Sequence, residues 1–183
     1  MDAANARESV DTRERILRAA MRVFAQHGLF KAPISMVARE AGVSKSLIFW
    51  YYRSRENLVR EVVERVLPLD VVESCLTQGL RGRRLAECIA RMYLEKYEDA
   101  TMRLLLLQVL AARGILKEVD EAFSKICEEM LPALAEGVWG TRSKENLVKA
   151  RMLFGSLLCY TVNPPRGIDR DEYVRIMLDV LAG

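Results

Sequence analysis

The sequence predicts an all-α protein in which a small N-terminal helical head precedes a larger helical body. Apolar residues recur every three or four positions along most of the chain, which is typical of amphipathic helices. Hydrophobic residues make up 51% of the 183 residues, whereas Gly and Pro number only 10 and 5. No segment alternates apolar and polar residues as a strand does. We place the head at residues 1–53 and the body at residues 54–183.

The positive charge is concentrated in the N-terminal third. Residues 1–60 carry 11 Lys and Arg against 6 Asp and Glu, whereas residues 61–183 carry 17 against 19. A basic end on a near-neutral body indicates a polyanionic partner that docks at the head. An ordinary solvated face is the alternative.

Composition also indicates which sites and compartments to expect. The four cysteines are widely spaced and His27 is the only histidine, so we expect no zinc site and no cofactor, and buried free thiols in a reducing cytoplasm. The N-terminus is polar, as in a protein without a signal peptide. The most apolar run, Leu104–Ala112, is far shorter than the ~20 residues of a membrane span. A soluble cytoplasmic protein without membrane contact is therefore expected.

The first predicted helix begins at Asp11, because Asp11 and Glu14 have the spacing of a capping box. Residues 1–10 lack periodicity, so we predict a frayed tail there. The helix carries one apolar stripe and ends at Gly28.

Residues 34–58 predict two short helices joined by a tight turn, followed by the start of a third. Gly42 stands where the turn needs a positive φ, which Gly adopts at low cost. Ser44 is a good N-cap for a helix over Lys45–Tyr52, which contains no acidic residue and several aromatic ones. This arrangement is typical of a helix-turn-helix, whose second helix enters the DNA major groove.

The same periodicity predicts the helices of the body. Pro68 either interrupts the helix that Ser54 begins or starts the next one. Thr101–Ala112 is apolar nearly all round, which predicts a helix buried at the centre of the body. Pro132 is expected to kink or split its helix. The remaining helices are predicted at Arg83–Tyr97, Glu118–Ala135 and Ser143–Val162, with a last one beginning at Asp169.

From about Thr12 to Leu58 the chain resembles the tetracycline-repressor-like (TetR) transcriptional regulators. The matching positions are Ile16, Ala19, Ala20, Phe24, Gly28, Val37, Ala38, Ala41, Gly42, Val43, Ser44, Ser54, Arg55, Glu56 and Leu58. The sequence departs from the family pattern at Ser46, Leu47 and Phe49, and Ala32-Pro33 replaces the usual cap of the preceding helix. The resemblance implies a DNA-binding head and a ligand-binding, dimer-forming body.

The predicted DNA-binding residues are Ser35, Lys45, Ser46, Leu47, Trp50, Tyr51 and Arg55. The first two residues of the second helix lie at the end that points into the groove, and Leu47 suits a thymine methyl group. The family resemblance implies phosphate contacts from the last three residues and a further contact from Ser35. Ile48 and Tyr52 are expected to pack inside the head, and Trp50 fits a packed aromatic residue equally well.

The family resemblance also implies an effector cavity in the body. Flexible Met and large aromatic side chains suit a pocket for a lipophilic ligand, although a plain packed core is the alternative for each residue. The candidates are Met92, Met102, Leu105, Val109, Phe123, Ile126, Cys127, Met130, Trp139 and Phe154.

Two C-terminal helices mix small and large apolar residues, which predicts a four-helix interface between two copies of the chain. Closing the core of one chain is the alternative. The candidate interface residues are Ala150, Gly155, Leu158, Tyr173, Ile176, Met177 and Val180.

We therefore expect a homodimeric, ligand-responsive transcriptional regulator, acting as a repressor that a hydrophobic small molecule releases from its double-stranded DNA operator. A DNA-bound adaptor whose body binds a protein is the alternative, and a carrier or enzyme for apolar ligands is a weaker one. The sequence has no Ser-His-Asp or Cys-His grouping and no Gly-rich phosphate loop, so no enzyme activity is expected.

Overall fold

The computed structural model of the chain describes residues 3–181, and regular structure within that range is entirely helical. The prediction of an all-α fold is confirmed. The helices are α1 (Ala3–His27), α2 (Ile34–Ala41), α3 (Lys45–Tyr52), α4 (Arg55–Val66), α5 (Leu69–Thr77), α6 (Gly82–Lys96), α7 (Ala100–Ala111), α8 (Lys117–Lys125), a π-helical turn (Ile126–Met130), α9 (Leu131–Trp139), α10 (Lys144–Val162) and α11 (Arg170–Leu181).

The start of α1 differs from the prediction. The helix begins at Ala3, so the expected frayed tail over residues 1–10 is wrong for residues 3–10, and residues 1 and 2 lie outside the described range. Three alanines, Ala3, Ala4 and Ala6, are strong helix formers and extend the helix in front of the capping box. The spacing of Asp11 and Glu14 therefore marked a point inside the helix.

The chain packs as two compact units. The first contains the residues up to Val66 together with Leu104–Ala122, and the second contains Leu67–Arg103 together with the residues from Phe123 onward. The division into packing units does not coincide with the predicted boundary between residues 53 and 54. That boundary remains a proposal about function.

In the first unit, α1 packs against α2 and α4, and α3 packs against α2 and α4. Their buried residues form one apolar core, which includes fully buried side chains of α7. The principal members are Ile16, Leu17, Phe24, Val37, Ile48, Leu58, Val62, Leu105 and Val109.

In the second unit, α6 packs against α5, α9, α10 and α11. The closest approach is at Gly137 of α9, where an added Cβ would lie 2.5 Å from Cδ2 of the buried Leu85. The absence of a side chain at Gly137 therefore lets α9 and α6 meet.

The π-helical turn lies directly before Pro132. A proline has no N–H to donate and its ring clashes with the carbonyl one turn earlier, so a regular α-helix cannot continue through it. Widening the preceding turn accommodates this residue. The prediction was a kink or a split of the helix over Glu118–Ala135. The chain stays helical from Lys117 to Trp139, and the π-helical turn interrupts its regular α-helical hydrogen bonding.

Two further predictions are wrong. The helix α7 is not buried all round, because the side chains of Leu104 and Leu107 are 45% and 40% exposed. The cysteines are not all buried free thiols either. Cys75 and Cys88 form a disulfide between α5 and α6, and Cys159 is exposed. A short turn joins α5 to α6 and brings the two α carbons to 6.0 Å, a separation that sequence spacing does not reveal.

None of the helices within the described residues has the length and apolarity that crossing a membrane requires.

Candidate nucleic-acid interface

The turn between α2 and α3 is built by backbone geometry. Gly42 has φ 65° and ψ 36°, the left-handed conformation that ends a helix most cheaply when the residue is glycine. The N–H of Val43 then donates to the carbonyl of Ala38 at 3.0 Å. Oγ of Ser44 accepts from the N–H of Leu47 at 3.1 Å and caps α3. The turn therefore sets where the first residues of α3 point.

One face of α3 is anchored inside the head, as predicted for Ile48 and Tyr52, which are 1% and 3% exposed. The Tyr52 hydroxyl donates to the carbonyl of Arg13 on α1 at 3.0 Å. Burial raises the pKa of Tyr52 to about 12, so the hydroxyl keeps its proton and this hydrogen bond further into the alkaline range than an exposed tyrosine would.

The other face of α3 is open to solvent. Lys45 and Ser46 are exposed at the N-terminal end of the helix, and Leu47 is partly exposed. Trp50 is 59% exposed, and its ring meets the ring of Tyr51 edge-on with 4.7 Å between the centroids. Trp50 is thus a surface aromatic residue rather than part of the core. Ser35 of α2 is also exposed.

The head also carries exposed cations, including three that the sequence analysis did not select. Lys31, Arg39, Lys45 and Arg53 are exposed and form no ion pair within the described part of the chain. Arg22, by contrast, is paired with Glu40 at 2.8 Å. The basic composition of the head was the signal in the sequence for these four exposed cations, but composition does not show which cations form ion pairs within the protein.

Arg53 also has an unusual backbone. It ends α3 with φ 65°, a positive value that is uncommon for a residue with a Cβ. Its N–H donates to the carbonyl of Phe49 at 2.9 Å, and Ser54 then caps α4 by accepting from the N–H of Asn57 at 3.2 Å. The abrupt change of direction between α3 and α4 therefore depends on residue 53.

Arg55, predicted to contact phosphate, makes contacts within the head. Its guanidinium donates to the carbonyls of Leu29 and Phe30 at 2.6 and 3.2 Å, and it stands 5.7 Å from the centroid of the Phe24 ring. These contacts hold the loop between α1 and α2. We assign Arg55 to the internal structure of the head and leave it out of the phosphate-binding set proposed below.

Gln108 is the polar residue that the sequence analysis missed in this unit. Its Oε1 accepts from the N–H of Leu29 at 2.9 Å, and its Nε2 donates to the carbonyl of Ala25 at 2.9 Å. The buried peptide of Leu29 is therefore held on both sides, since Arg55 binds its carbonyl. One polar residue within an otherwise apolar run was the only signal in the sequence.

Comparison of the chain with known proteins agrees with this geometry. Residues 16–62, which include the turn and both helices around it, match the family model described as bacterial regulatory proteins, tetR family. The N-terminal head of the chain is therefore similar to the DNA-binding part of tetR-family regulators.

Two curated relatives share part of the sequence. The chain is 33% identical over 67 residues to the HTH-type transcriptional regulator SrpR of Pseudomonas putida, covering 36% of this chain and 32% of SrpR. It is 33% identical over 57 residues to the HTH-type transcriptional regulator AcrR of Shigella flexneri, covering 31% of this chain and 26% of AcrR. The chain thus spans about a third or less of the length of these relatives.

Solved structures are similar to the fold over nearly the whole chain. The fatty acid degradation regulator FadR from Bacillus halodurans has a TM-score of 0.72 at 17% identity, over 93% of this chain and 98% of that one. NalD, the secondary repressor of the MexAB-OprM multidrug efflux pump in Pseudomonas aeruginosa, has a TM-score of 0.64 at 19% identity, over 94% and 95%. The tetR-family head therefore precedes a body of the same fold as these proteins.

The predicted effector residues are divided between the two packing units. Leu105 and Val109 belong to the first unit, and the other eight belong to the second. Three open grooves of the second unit have volumes of about 430 to 490 Å³. Of the ten residues, Met130 alone lines one of these three grooves.

That groove lies between α5 and the segment formed by the π-helical turn and α9. Its apolar surface comes from Leu69, Val72 and Leu76 on one side and from Met130 and Ala133 on the other. Charged side chains stand at its edges. Charged residues make up half of the lining of one of the other two grooves, which also contains Leu94, Tyr97 and Tyr160, and most of the lining of the other.

The predicted interface residues divide by exposure. Ala150 and Met177 are buried in their own unit. Gly155, Ile176 and Val180 are exposed, while the other two are partly exposed. The exposed residues of α10 include further apolar ones and form a stripe with spacings of four and three residues. This α10 stripe consists of Val148, Met152, Gly155, Cys159 and Val162.

We expect Gln108→Met to lower the free energy of unfolding by about 1–3 kcal/mol, because the Leu29 N–H and the Ala25 carbonyl lose their buried partner. Methionine keeps the length of the side chain, so packing is nearly unchanged. Chemical denaturation followed by circular dichroism measures this difference. The matched control is Leu107→Met, at the neighbouring exposed position, which should change stability by less than about 0.5 kcal/mol. Equal effects of the two substitutions would contradict the role of Gln108.

Proposed function

We propose that the protein is a DNA-binding transcriptional regulator that represses transcription from a double-stranded operator. The observation that carries this proposal is the open face of α3, which presents exposed or partly exposed basic, hydroxyl and aromatic groups from a helix fixed by the Gly42 turn and the Ser44 cap. A helix held in this way can place its N-terminal residues against base edges in the major groove.

The roles follow from position and chemistry. Lys45 and Ser46 read base edges, and Leu47 contacts a thymine methyl group. Trp50 and Tyr51, further along α3, contact the phosphate backbone, and Ser35 adds a contact from α2. Exposed cations around α3 supply the salt-dependent part of the affinity, because each phosphate that they neutralise releases condensed counterions. The further cations are Lys31, Arg39 and Arg53.

We expect Lys45→Ala to weaken binding to the preferred DNA by about 1–3 kcal/mol and to relax the sequence preference at one position. The probe is a fragment that the wild-type protein selects from a random-sequence library, and fluorescence anisotropy at several salt concentrations measures the affinity. Lys144→Ala removes the same charge from α10 in the second unit and should leave affinity and preference unchanged. A uniform loss on all sequences would show that Lys45 contacts phosphate only.

We further propose that the protein acts as a homodimer joined through the α10 stripe. Its residues recur with spacings of four and three, the spacing of a seam that packs against another helix. Ile176 and Val180 of α11, which are 42% and 77% exposed, extend the apolar surface. A two-fold axis lets the same surface pair with itself and presents two copies of α3 to two half-sites. Leu158 and Tyr173 then lie at the margin of the interface.

We expect Met152→Glu to raise the dimer dissociation constant by at least about 100-fold, because burying an unpaired carboxylate costs several kcal/mol. Analytical ultracentrifugation over a concentration series measures the change. Ser124→Glu adds the same charge at an exposed position of α8 and should leave the dimer intact. If Met152→Glu remained a dimer of wild-type affinity, the interface would lie on another surface.

The body, on this proposal, binds a lipophilic small molecule that releases the protein from its operator. The groove between α5 and α9 supports this, since its volume of about 480 Å³ and apolar floor suit such a ligand. The effector acts only through a difference in its affinity for the DNA-binding state and the released state. The alternative is an adaptor in which the same apolar groove receives a protein segment instead.

The dye 8-anilino-1-naphthalenesulfonate tests the groove. We expect Ala133→Trp to lower dye affinity by about tenfold or more, a difference of ~1.4 kcal/mol, because the indole fills the groove. Fluorescence titration measures it, and Ala111→Trp at an exposed position of α7 is the control. Apolar compounds that displace the dye should also weaken DNA binding. If every one of them left DNA affinity unchanged, the adaptor alternative would replace the effector proposal.

A further inference from the structure

The Cys75–Cys88 disulfide is unusual for a protein that binds DNA inside the cell. A protein that binds chromosomal DNA works in the reducing interior of the cell, where disulfides are usually transient and take part in catalysis or redox sensing. The bond joins two consecutive helices of the second unit, and the other two cysteines remain free thiols. A purely structural cross-link would be reduced in that compartment for much of the time.

We propose that Cys75 and Cys88 form a reversible two-electron oxidation site for peroxide-class oxidants, and that its state changes the affinity of the protein for DNA. This inference rests on the proposed DNA-binding function. The α carbons are 6.0 Å apart, within the usual range for bonded cysteines, so the two helices hold the thiols ready to pair.

The surroundings of the two sulfurs differ, and the difference assigns their roles. Cys75 is fully buried, whereas Cys88 is partly exposed. Sδ of Met92 lies 3.5 Å from Sγ of Cys75 and 3.9 Å from Sγ of Cys88, and Nε2 of Gln78 lies 4.0 Å from Sγ of Cys88. Cys88 is therefore the thiol that meets the oxidant, and Cys75 is the thiol that resolves the product.

The chemistry balances with one peroxide molecule. The Cys88 thiolate attacks one oxygen of hydrogen peroxide, the O–O bond breaks, and a sulfenic acid and hydroxide form. The Cys75 thiolate then attacks the Cys88 sulfur, the S–S bond forms, the S–O bond breaks, and hydroxide leaves. With the two thiol protons, the hydroxides become two water molecules. Two molecules of reduced glutathione reverse the reaction by thiol–disulfide exchange and leave as glutathione disulfide.

The disulfide can affect function because α5 lines the apolar groove. Leu69, Val72 and Leu76 of this helix form one side of the apolar groove, so a covalent tie from α5 to α6 restrains that side. Along the chain, only Leu67 and Pro68 separate α5 from α4, which belongs to the DNA-binding unit. The redox state of Cys75, in α5, is thereby linked through two residues of the chain to α4.

Trypsin places each cysteine in its own peptide, which makes the site directly measurable. Cleavage after Lys and Arg gives peptides 66–81, 85–91, 126–142 and 152–166. The reduced full-length protein is treated with one equivalent of hydrogen peroxide, alkylated in denaturant and digested. We expect a cross-link between peptides 66–81 and 85–91, reversed by excess reduced glutathione. Cys127 and Cys159, which are free thiols in the structure, should not appear in any cross-linked peptide and serve as internal controls for pairing.

The same samples are titrated with the DNA fragment that the wild-type protein selects. We expect the reduced and oxidised forms to differ in affinity by about 5- to 150-fold, the usual size of coupling between two sites. In Cys88→Ser and in Cys75→Ala, peroxide should no longer change the affinity. Oxidation of Met92 is a separate outcome, recognised because glutathione does not reverse it, and an affinity change that follows it alone would overturn the assignment to the cysteines.

Absence of the cross-link after peroxide treatment, failure of glutathione to reverse it, or equal DNA affinity of the two forms would also overturn the inference. Failure to bind DNA in either form would instead contradict the proposed function. The mass-spectrometric result on the thiols separates the two failures, because it does not depend on DNA.

Discussion

The peptide group of Leu29 is held from both sides, and the packing of the head depends on this arrangement. Leu29 lies between α1 and α2, where its N–H and its carbonyl bond to side chains, and its own side chain is fully buried. A buried N–H or carbonyl without a partner is costly. Gln108 of α7 supplies the acceptor and Arg55 of α4 supplies the donor. Two helices that are distant from this loop in sequence, α4 and α7, thereby bind it on two sides.

With that loop in place, the short helix α3 needs little intrinsic stability of its own. Eight residues are too few for an isolated helix in water, so tertiary packing must hold it. Ile48 and Tyr52 provide this packing, and the Ser44 cap satisfies a free N–H at the helix start. The side chains on the open face of α3 are then not needed to pack the helix against the head. The separation into an anchored face and an open face is what makes the helix suitable for contact with DNA.

The sequence predicted well whatever depends on neighbouring residues. The Gly42 turn, the Ser44 cap and the effect of Pro132 each involve a few consecutive residues with strong conformational preferences, and the structure has all three. Apolar periodicity likewise located the helices. The exact start of α1 was missed because an internal pair of residues imitated a cap.

Features that depend on distant residues were not predictable in this way. Arg55 matched a family position, but its partners lie 25 and 26 residues earlier, and the partners of Gln108 lie 79 and 83 residues earlier. The pairing of Cys75 with Cys88 depends on how α5 folds back on α6. Exposure of Leu104 and Leu107 also follows from tertiary packing, which a nearly uniform apolar run does not specify.

The backbone of Arg53 has an evolutionary consequence. A positive φ costs a residue with a Cβ about 1 kcal/mol or more, a cost that glycine would avoid. Selection for thermal stability alone would therefore favour glycine at this position, whereas selection for a cation beside α3 favours arginine. Arginine at this position therefore trades stability for surface charge, a trade that is typical of residues serving function rather than folding.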